Sequence, residues 1–142
     1  MRPRMSDKDL AKAEPVLMIV AGGRDFDDWD MMNEALYRFP DILITEFVNG
    51  LCETGADEMA REYARKRGRK VHGFAADWDE WGKKAGPMRN EAMAAFVAEK
   101  GKKYGLGGVL IAFWDGKSPG TRSMINLALK YGLEVHVYRY SK

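Results

Sequence analysis

From Pro15 onward the chain alternates continuous apolar runs with amphipathic ones. Val16-Leu17-Met18-Ile19-Val20 carries no polar residue and runs into Gly22-Gly23. An unbroken run of this kind predicts a strand covered on both faces. Asp27 and Asp28 open a predicted helix through about Phe39, with acids in the first turn where the helix dipole favours them, and Pro40 ends it. Ile42 to Val48 predicts a second strand, closed by Asn49-Gly50. Gly55 to Lys66 predicts a second helix with Met59, Tyr63 and Lys66 near one stripe and Gly68 as its stop. Lys70 to Ala75 reads as a third strand and Asp77 to Gly86 as a loop rich in tryptophan and charge. Pro87 suits the first position of a third helix running to about Glu99. Gly107 to Trp114 predicts the fourth strand, Pro119 to Tyr131 a fourth helix stopped by Gly132, and Glu134 to Tyr138 a fifth strand.

Strands alternating with helices imply parallel pairing through right-handed crossovers. The expected fold is therefore α/β: one three-layer domain over residues 15–142, with a mostly parallel sheet of about five strands and helices on both faces. Met1 to Glu14 reads as a solvated arm. The apolar first and fourth strands belong at the sheet's centre. In such sheets ligands sit outside the carboxyl ends of the strands, at the topological switch point. The glycine loops Gly22-Gly23, Gly50 and Gly116 to Gly120 all follow strands, which predicts one shared cleft.

Composition narrows the partners. At 142 residues the chain is long enough to bury about 68% of its unfolded surface, so a full core needs no staples. Lys and Arg number 23 against 21 Asp and Glu, a net charge of +2 that does not call for nucleic acid. Cys52 is the single cysteine, which excludes an intrachain disulfide and suits a reducing compartment, the cytoplasm. No apolar run is long enough to span a membrane, and no apolar segment follows Arg2 and Arg4 as in a signal peptide. His72 and His136 are far apart and belong to no ligand-spaced cluster, so neither a metal nor a cofactor is expected.

The chemistry gathers in the loops. Phe113-Trp114-Asp115-Gly116-Lys117-Ser118-Pro119-Gly120-Thr121 joins a strand to a helix. The first N–H groups of a helix have no partner inside it and carry partial positive charge, so a phosphate fits there. Lys117 adds a counter-charge, Ser118 and Thr121 add hydroxyls, and Gly120 allows close approach. Ala21-Gly22-Gly23-Arg24-Asp25-Phe26 is a second tight turn, in which Arg24 could clamp an anion and Asp25 could orient Arg24 or hold a ribose hydroxyl. It matches neither the dinucleotide nor the Walker fingerprint and reads equally well as a plain turn with a surface arginine. Thr54 or Gly55 would cap the second helix, with Asp57 favouring its first turn or touching a ribose; Cys52 reads as a buried thiol. In Asp77-Trp78-Asp79-Glu80-Trp81, Trp78 can stack a base, and Asp79 or Glu80 can act as acid or base. Arg89 and Asn90 fall in a first helical turn, where a cation is unfavourable by roughly 0.3–1 kcal/mol, so Arg89 reads as retained for an anion. The other reading pairs Arg89 with Asp77, Asp79 or Glu80 and lets the tryptophans plug the sheet edge. The basic second helix, interspersed with Glu58 and Glu62, reads as a solvated face.

Val20-Ala21-Gly22-Gly23-Arg24-Asp25-Phe26, Gly55-Ala56-Asp57, Ala76-Asp77-Trp78, Gly82 to Asn90 and Phe113 to Thr121 together resemble the YspA/YpsA-related branch of the SLOG superfamily. The resemblance covers about Val16 to Val137. It implies a Rossmann-like fold, a homodimer or larger homo-oligomer, and a nucleotide or nucleotide-derived ligand. Phosphate would lie on Ser118 to Thr121 and on Gly22-Gly23, with Arg24 or Arg89 as clamp and Trp78 or Trp114 against the base. Gly50, Asp25, Asp57, Asn90 and Lys117 complete the expected contacts. The superfamily includes the LOG phosphoribohydrolases, which cleave N-glycosidic bonds, and the DNA-binding DprA proteins. LOG enzymes carry a glutamate two residues after the loop threonine, and here Ser123 stands at that place. A hydrolase built on this chain would therefore rely on Arg89 with Asp77, Asp79 or Glu80. The expectation is a sensor or sequestering module, with nucleotide hydrolysis and then DprA-like nucleic-acid binding as the alternatives.

Overall fold

The computed structural model describes residues 15–39 and 43–141. The expected N-terminal arm, Pro40 and Ile42 lie outside the described residues. Five strands form one all-parallel sheet: β1 (Val16–Gly22), β2 (Ile44–Asn49), β3 (Lys70–Gly73), β4 (Gly107–Trp114) and β5 (Glu134–Arg139), in the order β3-β2-β1-β4-β5. The helices are α1 (Trp29–Tyr37), α2 (Ala56–Lys66), the short α3 (Trp78–Trp81), α4 (Ala85–Tyr104) and α5 (Pro119–Lys130). Chain order reverses between β1 and β4, and the open crevice of such a sheet lies at that point, beyond the strand ends.

The core lies on both sides of the sheet because β1 and β4 send alternate apolar side chains each way. Met18, Val20, Ile111 and Phe113 join the buried cluster with Met32, Leu36, Met59 and Ala60 of α1 and α2. Leu17, Ile19, Leu110 and Ala112 join the opposite cluster with Met93, Val97, Met124 and Ala128 of α4 and α5. Phe26 stacks on Phe113 with ring centroids 4.4 Å apart and meets Tyr140 edge-on at 5.0 Å. Each such pair is worth about 0.5–1.5 kcal/mol beyond its buried area.

The local signals set most boundaries. Asp28 caps α1, its carboxylate accepting from the Met31 N–H at 3.0 Å. Gly105 ends α4 in the left-handed conformation (φ 69°). One segment departs from expectation: Asp77 to Gly86 is helical rather than a loop. Asp77 caps α3 by accepting from the Glu80 N–H at 3.0 Å, and acids fill its first turn. Gly82 (φ 54°) breaks it, and a single 3₁₀ turn, Gly82–Lys84, leads straight into α4. Pro87 is thus the third residue of α4, where its missing N–H still belongs to the unpaired first turn. Arg89 and Asn90 fall in the second turn, not the first, so the dipole argument for Arg89 no longer applies. The helix also runs past Glu99 to Tyr104, while β3 ends at Gly73, two residues before Ala75.

Beneath the β2–β3 edge lies a charged triad. Glu46 on β2 accepts from His72 of β3 and, at 3.0 Å, from the Lys100 ammonium of α4. Burial works against the Glu46 charge, but His72 and Lys100 outweigh it and hold the carboxyl below its usual range. A depressed acid contributes stability above its unfolded pKa of about 4.3, which is lost as pH falls through the folded value. Glu46→Gln should therefore cost about 1.5–3 kcal/mol near pH 7, read by urea unfolding. The deficit should shrink as pH falls through the folded value, where wild type loses the same charge.

Candidate functional site

The carboxyl ends of β1, β2 and β4 open into a cleft of about 620 Å³. Its geometry starts at Gly22-Gly23. A Cβ on Gly22 would lie 2.6 Å from the Phe113 carbonyl oxygen, so only glycine lets β1 and β4 stay paired to their tips. The Gly23 N–H donates to that same carbonyl at 3.3 Å, and the Gly23 carbonyl accepts from the Phe26 and Ala56 N–H groups. Gly55 (φ 74°, ψ −148°) turns into α2 in a region open only to glycine, where a Cβ would lie 2.2 Å from the Gly23 carbonyl oxygen. Asp25 is held from the far end of the chain: the Tyr140 hydroxyl donates to it at 2.7 Å. Burial and this bond push the Tyr140 phenol well up.

The second wall follows β2. Asn49 accepts from the Leu51 N–H at 3.1 Å and donates to the Asp57 carbonyl at 3.2 Å. This places Leu51 at φ 61°, the one non-glycine with positive φ among the described residues, at a cost on the order of 1–3 kcal/mol. The Asp57 carboxylate accepts from the Cys52 N–H at 3.1 Å. Burial raises the Asp57 pKa, and burial with the nearby Asp57 charge pushes the Cys52 thiol up, so the thiol stays protonated.

Across the cleft, Arg89 donates from Nη1 to the Gly50 carbonyl at 2.7 Å and from Nε to Asn90 Oδ1 at 3.0 Å. Asn90 Nδ2 in turn donates to the Gly120 carbonyl at 3.3 Å. A continuous set of bonds thus ties the β2 loop through α4 to the start of α5. The paired alternative for Arg89 is not seen: Asp77, Asp79 and Glu80 make none of these contacts.

The start of α5 is more self-satisfied than its sequence suggests. Asp115 accepts from the Lys117 and Ser118 N–H groups at 2.8 and 2.7 Å, and these bonds hold its carboxyl below the usual range. Ser118 caps the helix, accepting from the Thr121 N–H at 3.5 Å, and its carbonyl takes the Arg122 N–H. Pro119 has no N–H. Among the described residues the Gly120 N–H is the one first-turn donor left for a ligand. Beside it the Thr121 side chain is 5% exposed, lines the cleft and has no hydrogen-bond partner among the described residues.

Of the expected contacts, Gly22, Gly23, Arg24, Asp25, Gly50, Asp57, Trp78, Arg89, Asn90, Ser118, Gly120 and Thr121 all line this one cleft. Trp114, Lys117, Asp79 and Glu80 do not. The Trp114 indole donates to the Ser118 carbonyl, and the Arg122 and Arg139 guanidiniums lie 5.4 and 5.2 Å from its ring. Asp79 and Glu80 are exposed on α3. Sequence reasoning missed Asn49, Asp115, Tyr140 and Lys83. An Asx-turn reading of Asn49-Gly50 and Asp115-Gly116 could have found the first two; nothing local marks Tyr140. On α2, Arg61 pairs with Glu58 and Lys66 with Glu62, in keeping with a solvated face.

A family model for the YspA, cpYpsA-related SLOG family matches residues 16–81. The chain belongs to that family. The match takes in the Gly22 to Asp57 side of the cleft and Trp78, and ends before α4 and α5. Gene 61 protein of Mycobacterium phage D29 is 33% identical over 129 residues, covering 83% of this chain and 92% of the relative. Family membership points to binding or processing of nucleotide-related molecules. No helix among the described residues is long and apolar enough to cross a membrane.

Two stability outcomes follow from this geometry. A Cβ at position 23 would lie 1.8 Å from the Tyr140 hydroxyl. Gly23→Ala should cost about 1–3 kcal/mol, and adding Tyr140→Phe should return part of it. Additive losses across the four-member cycle in urea would contradict the contact. Asp57, with its raised pKa, contributes stability present below the unfolded value and lost as pH rises through the folded one. Asp57→Asn keeps an acceptor for Cys52, so its melting temperature should exceed wild type at pH 8, with the gap closing toward pH 4.

Proposed function

We propose that the protein binds a nucleotide or nucleotide-derived molecule in this cleft through its phosphate, as a sensor or sequestering module. The observation that carries the reading is the Thr121 hydroxyl. It lines the cleft without a hydrogen-bond partner among the described residues, and a phosphate oxygen there would take it together with the Gly120 N–H. Arg24, Arg89 and Lys83 supply positive charge on the same cleft. Trp78, about half exposed, offers a ring face for a base.

Binding without turnover is the better supported form. Cleaving an N-glycosidic bond needs a carboxylate free to meet a developing oxocarbenium ion. Each carboxylate that lines the cleft is held by the fold through one oxygen, which fixes its orientation: Asp25 by Tyr140, Asp57 by the Cys52 N–H, and Asp115 by two N–H groups of its own turn. Ser123 also lines the cleft, at the place where the hydrolases carry glutamate. The same reading takes the protein to act in the cytoplasm as a homodimer or larger homo-oligomer, for which Trp81, Tyr104 and Leu129 offer exposed apolar surface.

A thermal-shift screen with nucleoside monophosphates and diphosphates tests the reading. A ligand at 100 times its dissociation constant should add about 2.7 kcal/mol. Thr121→Val keeps the shape, so the unliganded melt should stay or rise while affinity falls about tenfold, worth ~1.4 kcal/mol. A Cβ at Gly120 meets no atom within 4 Å, so Gly120→Glu is accommodated. Its charge should help the free helix by roughly 0.3–1 kcal/mol yet repel phosphate. Unchanged affinity in both variants would place the phosphate elsewhere.

A further inference from the structure

The cleft does not end at Arg89. A second cavity of about 390 Å³ adjoins it over the ends of β2 and β3, lined by Thr54, Ala75 and Ala76 among others. The two cavities share Arg24, Gly50, Cys52, Trp78 and Arg89. Their divide is therefore made of two guanidiniums, a thiol, an indole and a backbone carbonyl. The carboxylates stand to either side: Asp25, Asp57 and Asp115 line only the first cavity and Glu53 only the second.

The divide is rigid on one side. Arg89 is fixed through Nε and Nη1 by Asn90 and Gly50, which leaves Nη2 for a ligand among the described residues. Asn90 also holds the Gly120 carbonyl, so the arginine and the α5 cradle are two hydrogen bonds apart. An anion resting on Gly120 and Thr121 would thus have a second cationic station next to it, with further open space beyond.

We propose that the ligand is two-lobed: a nucleoside diphosphate whose second phosphate carries a sugar or nucleoside. The first phosphoryl group rests on Gly120 and Thr121, the second between Arg24 and Arg89, and the distal sugar fills the second cavity beside Trp78. A nucleoside monophosphate would use the first cavity alone. A single-phosphorus bridge, as in a dinucleotide monophosphate, would reach only one of the two phosphate stations. This inference rests on the nucleotide reading above and adds the second lobe to it.

Calorimetric titration of the full chain with AMP, ADP, ADP-ribose and the dinucleotide ApA tests it. ADP should bind more tightly than AMP, and ADP-ribose at least about tenfold more tightly than AMP, with ApA weaker than ADP-ribose. Thr54→Trp, at an exposed loop position, and Ala76→Trp both fill the second cavity and leave the first untouched. Each should bring ADP-ribose down to the affinity of ADP while AMP stays within about twofold of wild type. Equal affinity for AMP and ADP-ribose in wild type overturns the second lobe and leaves the nucleotide reading standing. So does a preference that survives both tryptophans. ApA matching ADP-ribose overturns the diphosphate bridge. If none of the four binds, the nucleotide reading itself falls, and this inference with it.

Discussion

The Gly23 peptide group is the point through which the site is assembled. Its N–H reaches β4 at the Phe113 carbonyl, and its own carbonyl accepts from Phe26 in the same loop and from Ala56 at the start of α2. One residue thus joins the first strand, the fourth strand and the second helix at the crevice. The close approach requires that no Cβ stand at positions 22, 23 or 55, where the nearest atoms would lie 2.6, 1.8 and 2.2 Å away. Backbone packed this tightly cannot drift without losing hydrogen bonds that water replaces poorly at a half-buried site. The wall facing the α5 cradle is therefore set before any ligand arrives, which lowers the ordering cost of binding.

The opposite wall is fixed by different means. Asn49, Asp57, Asn90 and Thr121 are the buried polar side chains among the described residues. Three of them bond one another's neighbours across the cleft floor: Asn49 to Asp57, Asn90 to Arg89 and Gly120. Such groups are costly unless satisfied. Asn49 and Asn90 are satisfied by the fold. The Thr121 side chain has no partner among the described residues and lines the cleft, and Leu51, on the β2 side, is held at positive φ. Backbone strain is concentrated where a fold serves something other than its own stability.

How much of this was legible in the sequence depended on the range of the interaction. β1 and β4 were plain because burial on both faces leaves an unbroken apolar run. Gly22, Gly23, Gly50 and Gly120 marked the cleft because strand ends in a parallel sheet converge by topology alone. The helical turn at Asp77 to Gly86 was hidden by its tryptophans and charges. These look like loop composition, although Asp77 followed by Glu80 is a proper helix start. Asp115 was missed: it takes the Lys117 and Ser118 N–H groups just before α5, and in the first turn itself Pro119 has no N–H and Thr121 donates to Ser118, so the cradle offers one first-turn donor rather than several. Tyr140 could not be found locally, since it meets Asp25 from 115 positions away.

That narrowing of the cradle changes what can hold a phosphate. A helix start with several open N–H groups would bind almost any anion, with little preference for what the anion carries. On the proposed reading, with one N–H and one hydroxyl the α5 start contributes placement more than affinity, and the main attraction passes to the guanidiniums of Arg24, on the loop after β1, and Arg89, on α4. Arg89 is the better placed of the two, because its orientation is fixed by Gly50 and Asn90 before binding and little rotamer freedom remains to be lost. Arg24 is exposed and contributes through charge. On the proposed reading, selectivity comes from the spacing between a fixed guanidinium and the Thr121 hydroxyl, and Asn90 ties that guanidinium to the Gly120 carbonyl next to Thr121.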